Sequence, residues 1–164
     1  MEDTQRLTFI SDISTINFDN LWNNCFNGKA NLEHMNAYVP YPLTHRWQLN
    51  NFLTNQHNYT CWLIKRKEEQ DFIGFIIHGN FIPGLPNNIG FNIGLNYTRN
   101  GFASEALNSL VKYVRDIGLK ETFGHCFEAN IASISTMEKL GFVNQGRTGN
   151  KYNGNFELKF RIQL

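Results

Sequence analysis

Phe156, Leu158, Phe160, Ile162 and Leu164 close the chain in alternation with Glu157, Lys159, Arg161 and Gln163. A period of two predicts a strand with one face on a core and the other toward water. Upstream the period changes. Ala103, Ala106, Leu107, Leu110, Val114 and Ile117 recur at spacings of three and four, the stripe of an amphipathic helix. Lys112 and Arg115 lie toward its C-terminal end, where the helix dipole favours cations, and Gly118 supplies the stop. Asn130–Leu140 reads as a shorter helix with Asn130 as N-cap and Ile134, Met137 and Leu140 inside. Gly141 is its left-handed cap, and Phe142 packs back on the last turn.

The N-terminal half is less regular. Arg6–Ile10 predicts a first strand. A helical segment from Ser14 to Asn27 carries Ile16, Leu21, Trp22 and Phe26. A second helix follows Tyr41-Pro42-Leu43, with Thr44 as N-cap and Trp47, Leu49, Phe52 and Leu53 behind it. Tyr59–Lys65 and Asp71–Gly79 predict a hairpin across the charged turn KRKEEQ. Asn80–Asn87, with two prolines and a glycine, predicts a loop before the strand Asn88–Leu95, and Glu121–Phe127 is a further strand. The order is strand, two helices, three strands, helix, strand, helix, two strands. It predicts an α/β (α+β) fold, helices around a mixed sheet, as one domain over residues 1–164 without linker or repeat.

Composition narrows the function. A net charge of +1, with the cluster Lys65-Arg66-Lys67 followed at once by Glu68-Glu69, argues against nucleic acid or an acidic membrane as partner. Cys25, Cys61 and Cys126 stand far apart with no CxxC pair, which suggests buried, reduced thiols and a cytoplasmic protein. The polar start MEDTQRLTF does not read as a signal peptide, and no apolar run approaches the roughly 20 residues of a membrane span. The five histidines lack metal-ligand spacing, so no metal is expected.

The candidate chemistry sits in NYTRNGFASEAL, residues 96–107. A strand, a short glycine loop and a helix N-terminus can form an anion site. The N–H groups of Asn100 to Ser104 would converge there, with the positive end of the helix dipole behind them. Gly101 permits close approach, and Arg99 offers a charge-assisted contact. These residues alone favour an ordinary helix start. No lysine–serine pair follows, so this is not a Walker loop.

Read together, IGFNIGLNYTRNGFASEALNSLVKYVRDIGL and EANIASISTMEKLGFVNQGR resemble the GNAT N-acetyltransferase superfamily. The likeness is greatest to its RimJ/RimL type, which acetylates the N-termini of ribosomal proteins. Three pieces match in order: Gly-aromatic-Ala-Ser-Glu-Ala, Asn-x-Ala-Ser-Ile and Glu-Lys-Leu-Gly-Phe, across roughly residues 88–150. The resemblance implies the acyl-CoA N-acyltransferase fold, a mixed and mostly antiparallel central sheet flanked by helices. It implies acetyl-CoA as cosubstrate and an amine acceptor, either a peptide N-terminus or a small molecule. A homodimer stays open.

The resemblance also assigns residues. The backbone of Phe91, Ile93, Gly94 and Leu95 would hold the pantetheine arm. The loop residues Arg99, Asn100, Gly101, Phe102, Ala103 and Ser104 would hold the pyrophosphate. Asn130 would contact the arm, and Ser133 would act as acid toward the departing thiolate from the first helical turn, where N–H groups favour negative charge. Thr98 and Arg99 depart from the family loop, which places Arg or Gln and then Gly there. Met137 stands where many members carry a tyrosine acid. A glutamate implicated as base in this branch is here Tyr152, which offers only a phenol. Glu128, His125 and His78 remain as base candidates beside a water chain, since attack requires a neutral amine. Each has a plainer reading, as a surface carboxylate, a core histidine and a strand-end histidine. Phe18, Trp22, Tyr38, Tyr41 and Trp47, rimmed by Phe81–Pro86, are acceptor-pocket candidates or core aromatics. A catalytically silent acyl-CoA-binding module and a nucleotide-binding regulator are the rival functions.

Overall fold

The computed structural model describes residues 1–13, 16–28, 46–54, 58–82, 85–152 and 154–164, with the side chains of Arg46, Trp47, Leu49 and Tyr152 outside that description. Seven strands form one sheet: β1 (Leu7–Ile10), β2 (Tyr59–Arg66), β3 (Phe72–Gly79), β4 (Asn88–Ile93), β5 (Glu121–Phe127), β6 (Val143–Tyr152) and β7 (Asn155–Gln163). Their order across the sheet is β1-β2-β3-β4-β5-β7-β6. Every neighbouring pair is antiparallel except β4–β5, which is parallel. This is the mixed, mostly antiparallel sheet that the sequence predicts.

Four helices are described: α1 (Asp19–Cys25), α2 (Arg46–Thr54), α3 (Phe102–Asp116) and α4 (Ile131–Lys139). They divide between the two faces of the sheet. Ile64, Ile76, Ile89, Cys126, Phe160 and Ile162 point to the face covered by Leu107, Leu110 and Val114 of α3 and Met137 of α4. Cys61, Leu63, Phe75 and Ile77 point to the other face, against Leu21 and Cys25 of α1 and Phe52 and Leu53 of α2. Alternation along each central strand therefore feeds two cores, and β2 and β3 are apolar on both sides.

Several boundaries differ from expectation for identifiable reasons. The first helix begins at Asp19, where Asn17 Oδ1 accepts the Asp19 N–H at 2.9 Å and turns the chain. Thr44, Tyr38 and Tyr41 lie outside the described residues. The strand Asn88–Leu95 ends at Ile93 and passes into a 3₁₀ turn over Leu95–Tyr97. Ile117 is not on the buried stripe of α3; it caps the helix and is 52% exposed, while Phe102 and Val111 are buried. In β7, Phe160 and Ile162 are buried as predicted, but so is Glu157, at 2% exposure. The cause is position: β7 lies inside the sheet, so its second face is also covered there.

Candidate active site

The parallel pair β4–β5 is joined over Asn88–Phe123 and Ile89–Gly124 alone. Beyond Gly90 and His125 the strands part, and a cavity of 510 Å³ passes through the sheet. Its wall takes Phe91, Ile93 and Met137 from one face and Phe75, Ile77 and Asn92 from the other. In antiparallel pairing, alternate residues turn their N–H and C=O to the same neighbour. Gly94 N–H bonds Ile73 O at 2.9 Å, so Gly90 and Asn92 face β3 with it, and Phe91 and Ile93 face the opening.

At the mouth of the gap stands the N-terminus of α3. The loop before it is held from within: Thr98 Oγ1 donates to Leu95 O at 2.8 Å, and Asn100 Nδ2 donates to Thr98 O at 3.1 Å. Arg99 and Gly101 adopt left-handed backbones, with φ of +62° and +81°. Gly101 is the N-cap residue and has no side chain to offer, so the N–H groups of the first turn, Phe102, Ala103 and Ser104, lack intrahelical acceptors and face the cavity mouth. The charged side chains in the cavity wall, among the described residues, are Arg99 and Lys139, with His125, Tyr97 and Cys126 as further titratable groups. A site with two cations, no carboxylate and a helix N-terminus suits a polyanion.

Two anchors that the sequence reading missed keep the loop in place. Glu105, within the helix motif, accepts from Arg6 Nε at 2.7 Å and from the Thr4 hydroxyl, while Arg6 Nη1 reaches Asn100 O at 3.0 Å. The Arg6 guanidinium also lies 4.6 Å from the Phe102 ring centroid. Burial pushes the Glu105 carboxyl up, but hydrogen bonds from Thr4 and Arg6 outweigh it and hold the group below its ordinary range. Tyr97 is the second anchor. Its hydroxyl donates to Asp71 Oδ2 at 2.9 Å, and Arg66 holds the same carboxylate at 2.7 and 2.8 Å. Burial, with Asp71 adding to it, pushes the Tyr97 phenol up to about 12. The Glu105 position was visible in the motif; its partners, about a hundred residues away in sequence, were not.

Deeper in, Asn130 caps α4 as predicted: its Oδ1 accepts the Ser133 N–H at 3.1 Å. That bond sets Ser133 in the first turn, facing the cavity. The Ser133 side chain is hydrogen-bonded to Cys126, whose thiol burial pushes up to about 12. Cys126 is therefore a neutral thiol that does not compete with the serine as a nucleophile. Met137 lies over Gly124, where an added Cβ would stand 2.6 Å from its sulfur. Cys25, Cys61 and Cys126 are all buried free thiols.

Other expected site residues are placed elsewhere. Gly94 has its N–H on Ile73 and its C=O accepting from Tyr97, and a Cβ there would stand 2.3 Å from Asn24 O of α1; it seats the helix. Leu95 lines the mouth. Glu128 is not in the cavity wall; it pairs with Arg147 at 2.8 Å, and Arg147 lies over the Phe156 ring. His78 sits beside Ile89 on the α3 face, away from the cavity wall, and burial pushes its imidazole down. Of Tyr152 the backbone alone is described, at the end of β6. Phe18 and Trp22 pack on the α1–α2 core rather than in the cavity wall, where Phe52 and Phe81 stand instead. His125 does line the cavity, on the face of Phe75 and Ile77.

A seven-stranded sheet opened between its one parallel pair, with a helix N-terminus at the opening, defines an acyl-CoA N-acyltransferase fold. The chain belongs to the GNAT acetyltransferase family, whose acetyltransferase (GNAT) domain model matches residues 18–143. It is 33% identical over 87 residues to YoaA, an uncharacterized N-acetyltransferase of Bacillus subtilis, covering 52% of this chain and 49% of that one. The chain spans about half the length of the curated relatives it matches. Two solved structures share the fold at low identity. One is the spermidine N-acetyltransferase of Vibrio cholerae with CoA and spermine (15% identity, TM-score 0.74, 98% of this chain and 96% of that one). The other is RimL, the ribosomal L7/L12 α-N-protein acetyltransferase with coenzyme A (16% identity, TM-score 0.76, 99% of this chain and 97% of that one).

Proposed function

We propose that the chain transfers an acetyl group from acetyl-CoA to the primary amine of a peptide N-terminus or a small monoamine, by direct attack within a ternary complex. The observation that carries this is the opening between β4 and β5. One end is a cationic helix N-terminus for the phosphates of CoA, and the other is an apolar chamber. Phe91 and Ile93 supply strand-like backbone groups for the pantetheine arm, and the amides of Phe102, Ala103 and Ser104 supply donors for the pyrophosphate. Ser133, backed by the dipole of α4, gives the departing thiolate a proton. The acceptor half, with Phe52, Phe75, Ile77 and Phe81, carries no carboxylate among the described wall residues. A polyamine needs more than one anionic contact, so a single amine on an uncharged group fits better. The sequence likeness of residues 88–150 to the RimJ/RimL type supports a peptide N-terminus, and the three buried thiols suit a cytoplasmic setting.

The test is acceptor-dependent release of CoA thiol from acetyl-CoA, across short peptides with free N-termini, monoamines and spermidine. The expected result is release with peptides or monoamines and none with spermidine. Tight CoA binding with no release across the panel would instead make the chain an acyl-CoA-binding module.

A further inference from the structure

Glu157 is a carboxylate on a half-buried strand, yet it is almost fully enclosed. It accepts hydrogen bonds from Thr148 Oγ1 at 2.7 Å and Asn150 Nδ2 at 3.0 Å, and its Oε2 lies 3.6 Å from His125 Nδ1. Both side chains are nearly out of solvent, at 2% and 3% exposure. Enclosing a carboxylate beside an imidazole is costly unless the pair is arranged for it, and such pairs concentrate where protons move. The arrangement draws on three strands. His125 comes from β5, Glu157 from β7, and Thr148 and Asn150 from β6.

The position relative to the opening gives the pair a purpose. Along β5, Gly124 and Cys126 face α4, whereas His125 faces the opposite way. Cys126, with Ser133 beside it, and His125 therefore flank the gap from opposite sides of the sheet, and both line the cavity. Ser133 is on the thiol side. His125 shares the acceptor side with Phe75, Ile77, Gly90 and Asn92.

We propose that His125 is the group that takes the proton from the acceptor amine, and that Glu157 is its positioning residue, held in turn by Thr148 and Asn150. This rests on the transferase reading above. Nδ1 faces Glu157, so Nε2 is the nitrogen assigned to the amine. An ammonium sheds two protons in becoming an amide. His125 takes the first. The second is passed through the Ser133 hydroxyl to the thiolate sulfur. The N–C bond forms, and the C–S bond breaks with its electron pair leaving on sulfur. The imidazolium formed is stabilised by the Glu157 carboxylate, as a base–orienter pair requires. The charged groups facing His125 are Glu157 and its cross-strand neighbour Lys159, whose ammonium turns onto the Phe123 ring, 4.2 Å from the centroid.

The experiment compares wild type, His125→Gln, His125→Asn and Glu157→Gln in steady-state acetyl transfer across a pH series, with CoA-induced thermal stabilisation measured on each. Expected for either His125 variant is a fall in kcat of about 100-fold or more with CoA stabilisation retained, and loss of the acid limb of the kcat/KM profile. Glu157→Gln should keep that limb but move it to lower pH, because the imidazolium loses its counter-charge, and should lower kcat with little change in the KM for acetyl-CoA. If both His125 variants misfold, the displaced limb in Glu157→Gln decides. An active wild type with His125 variants within about threefold of it, or an unmoved limb in Glu157→Gln, overturns the pair alone. An inactive wild type that still binds CoA overturns the transferase reading, and the pair's role with it.

Discussion

Gly101 shows how much one backbone conformation can decide. At φ +81° it stands where a side chain is strained, yet the nearest atom to an added Cβ is Arg6 Nη2 at 3.5 Å, so the site is not crowded. Glycine is needed for the turn, and the space beside it is open. Gly101→Glu places a carboxylate among the donors proposed for phosphate. CoA at about 100 times its Kd stabilises the wild type by about 2.7 kcal/mol. For a domain of this size that is roughly 5–10 °C in Tm. Thermal shift should show that gain lost in the variant, and a retained gain would displace the site from this loop. Ser133 is the second residue that the proposed mechanism calls on. Ser133→Ala should lower kcat by about 10- to 100-fold with the KM for acetyl-CoA little changed, and stopped-time product assays would measure it.

At the scale of elements, α3 and α4 are placed by their first turns. Asn130 caps α4 through the N–H of Ser133 itself, so the cap and the proposed acid are one construction. Asn130→Ala should cost about 1 kcal/mol of stability and also reduce kcat, because the turn that orients the serine loosens. An Asn130→Asp variant, which keeps an accepting oxygen, should recover the stability in a denaturant titration. For α3 the equivalent anchor is Glu105, which binds β1 to the loop through Thr4 and Arg6. Its folded carboxyl titrates below the unfolded one. The stability it contributes is therefore full above about pH 5 and fades as pH falls through the depressed folded value. The difference in stability between wild type and Glu105→Gln should follow that course, and a difference constant across the acid range would show that the ion pair contributes nothing.

At the scale of the molecule, the sheet is two antiparallel blocks joined by a short parallel contact. Hydrogen exchange should reveal the joint. The amides of Phe91 and Ile93, turned to the opening, should exchange quickly and slow on adding CoA. Those of Gly90 and Asn92, turned to β3, should be slow throughout. Equal protection of both sets without CoA would mean that the gap closes in solution.

Much of this architecture was legible along the chain. The stripe of α3, the Asn130 and Gly141 caps and the alternation of β7 are each local, set by side-chain period, a capping oxygen and a left-handed backbone. The motif from Asn96 to Leu107 marked the loop for the same reason, since a turn and a helix start are written in adjacent residues. What failed to show was everything that depends on which strands become neighbours. Glu157 sits in a run that alternates like an exposed face, yet β6 and β5 on either side enclose it with His125, Thr148 and Asn150. Glu128, in the sequence a base candidate or a surface carboxylate, is Arg147's partner, because β7 pairs with β5 on one side and β6 on the other and so brings the end of β5 within reach of β6. The sequence by itself determined the order of the described elements, the Asn130 and Gly141 caps and the family to which the chain belongs, since these rest on short-range geometry. The tertiary structure alone decided where the sheet opens and which buried carboxylate meets which imidazole, since long-range pairing sets burial, and burial sets the chemistry of a charge.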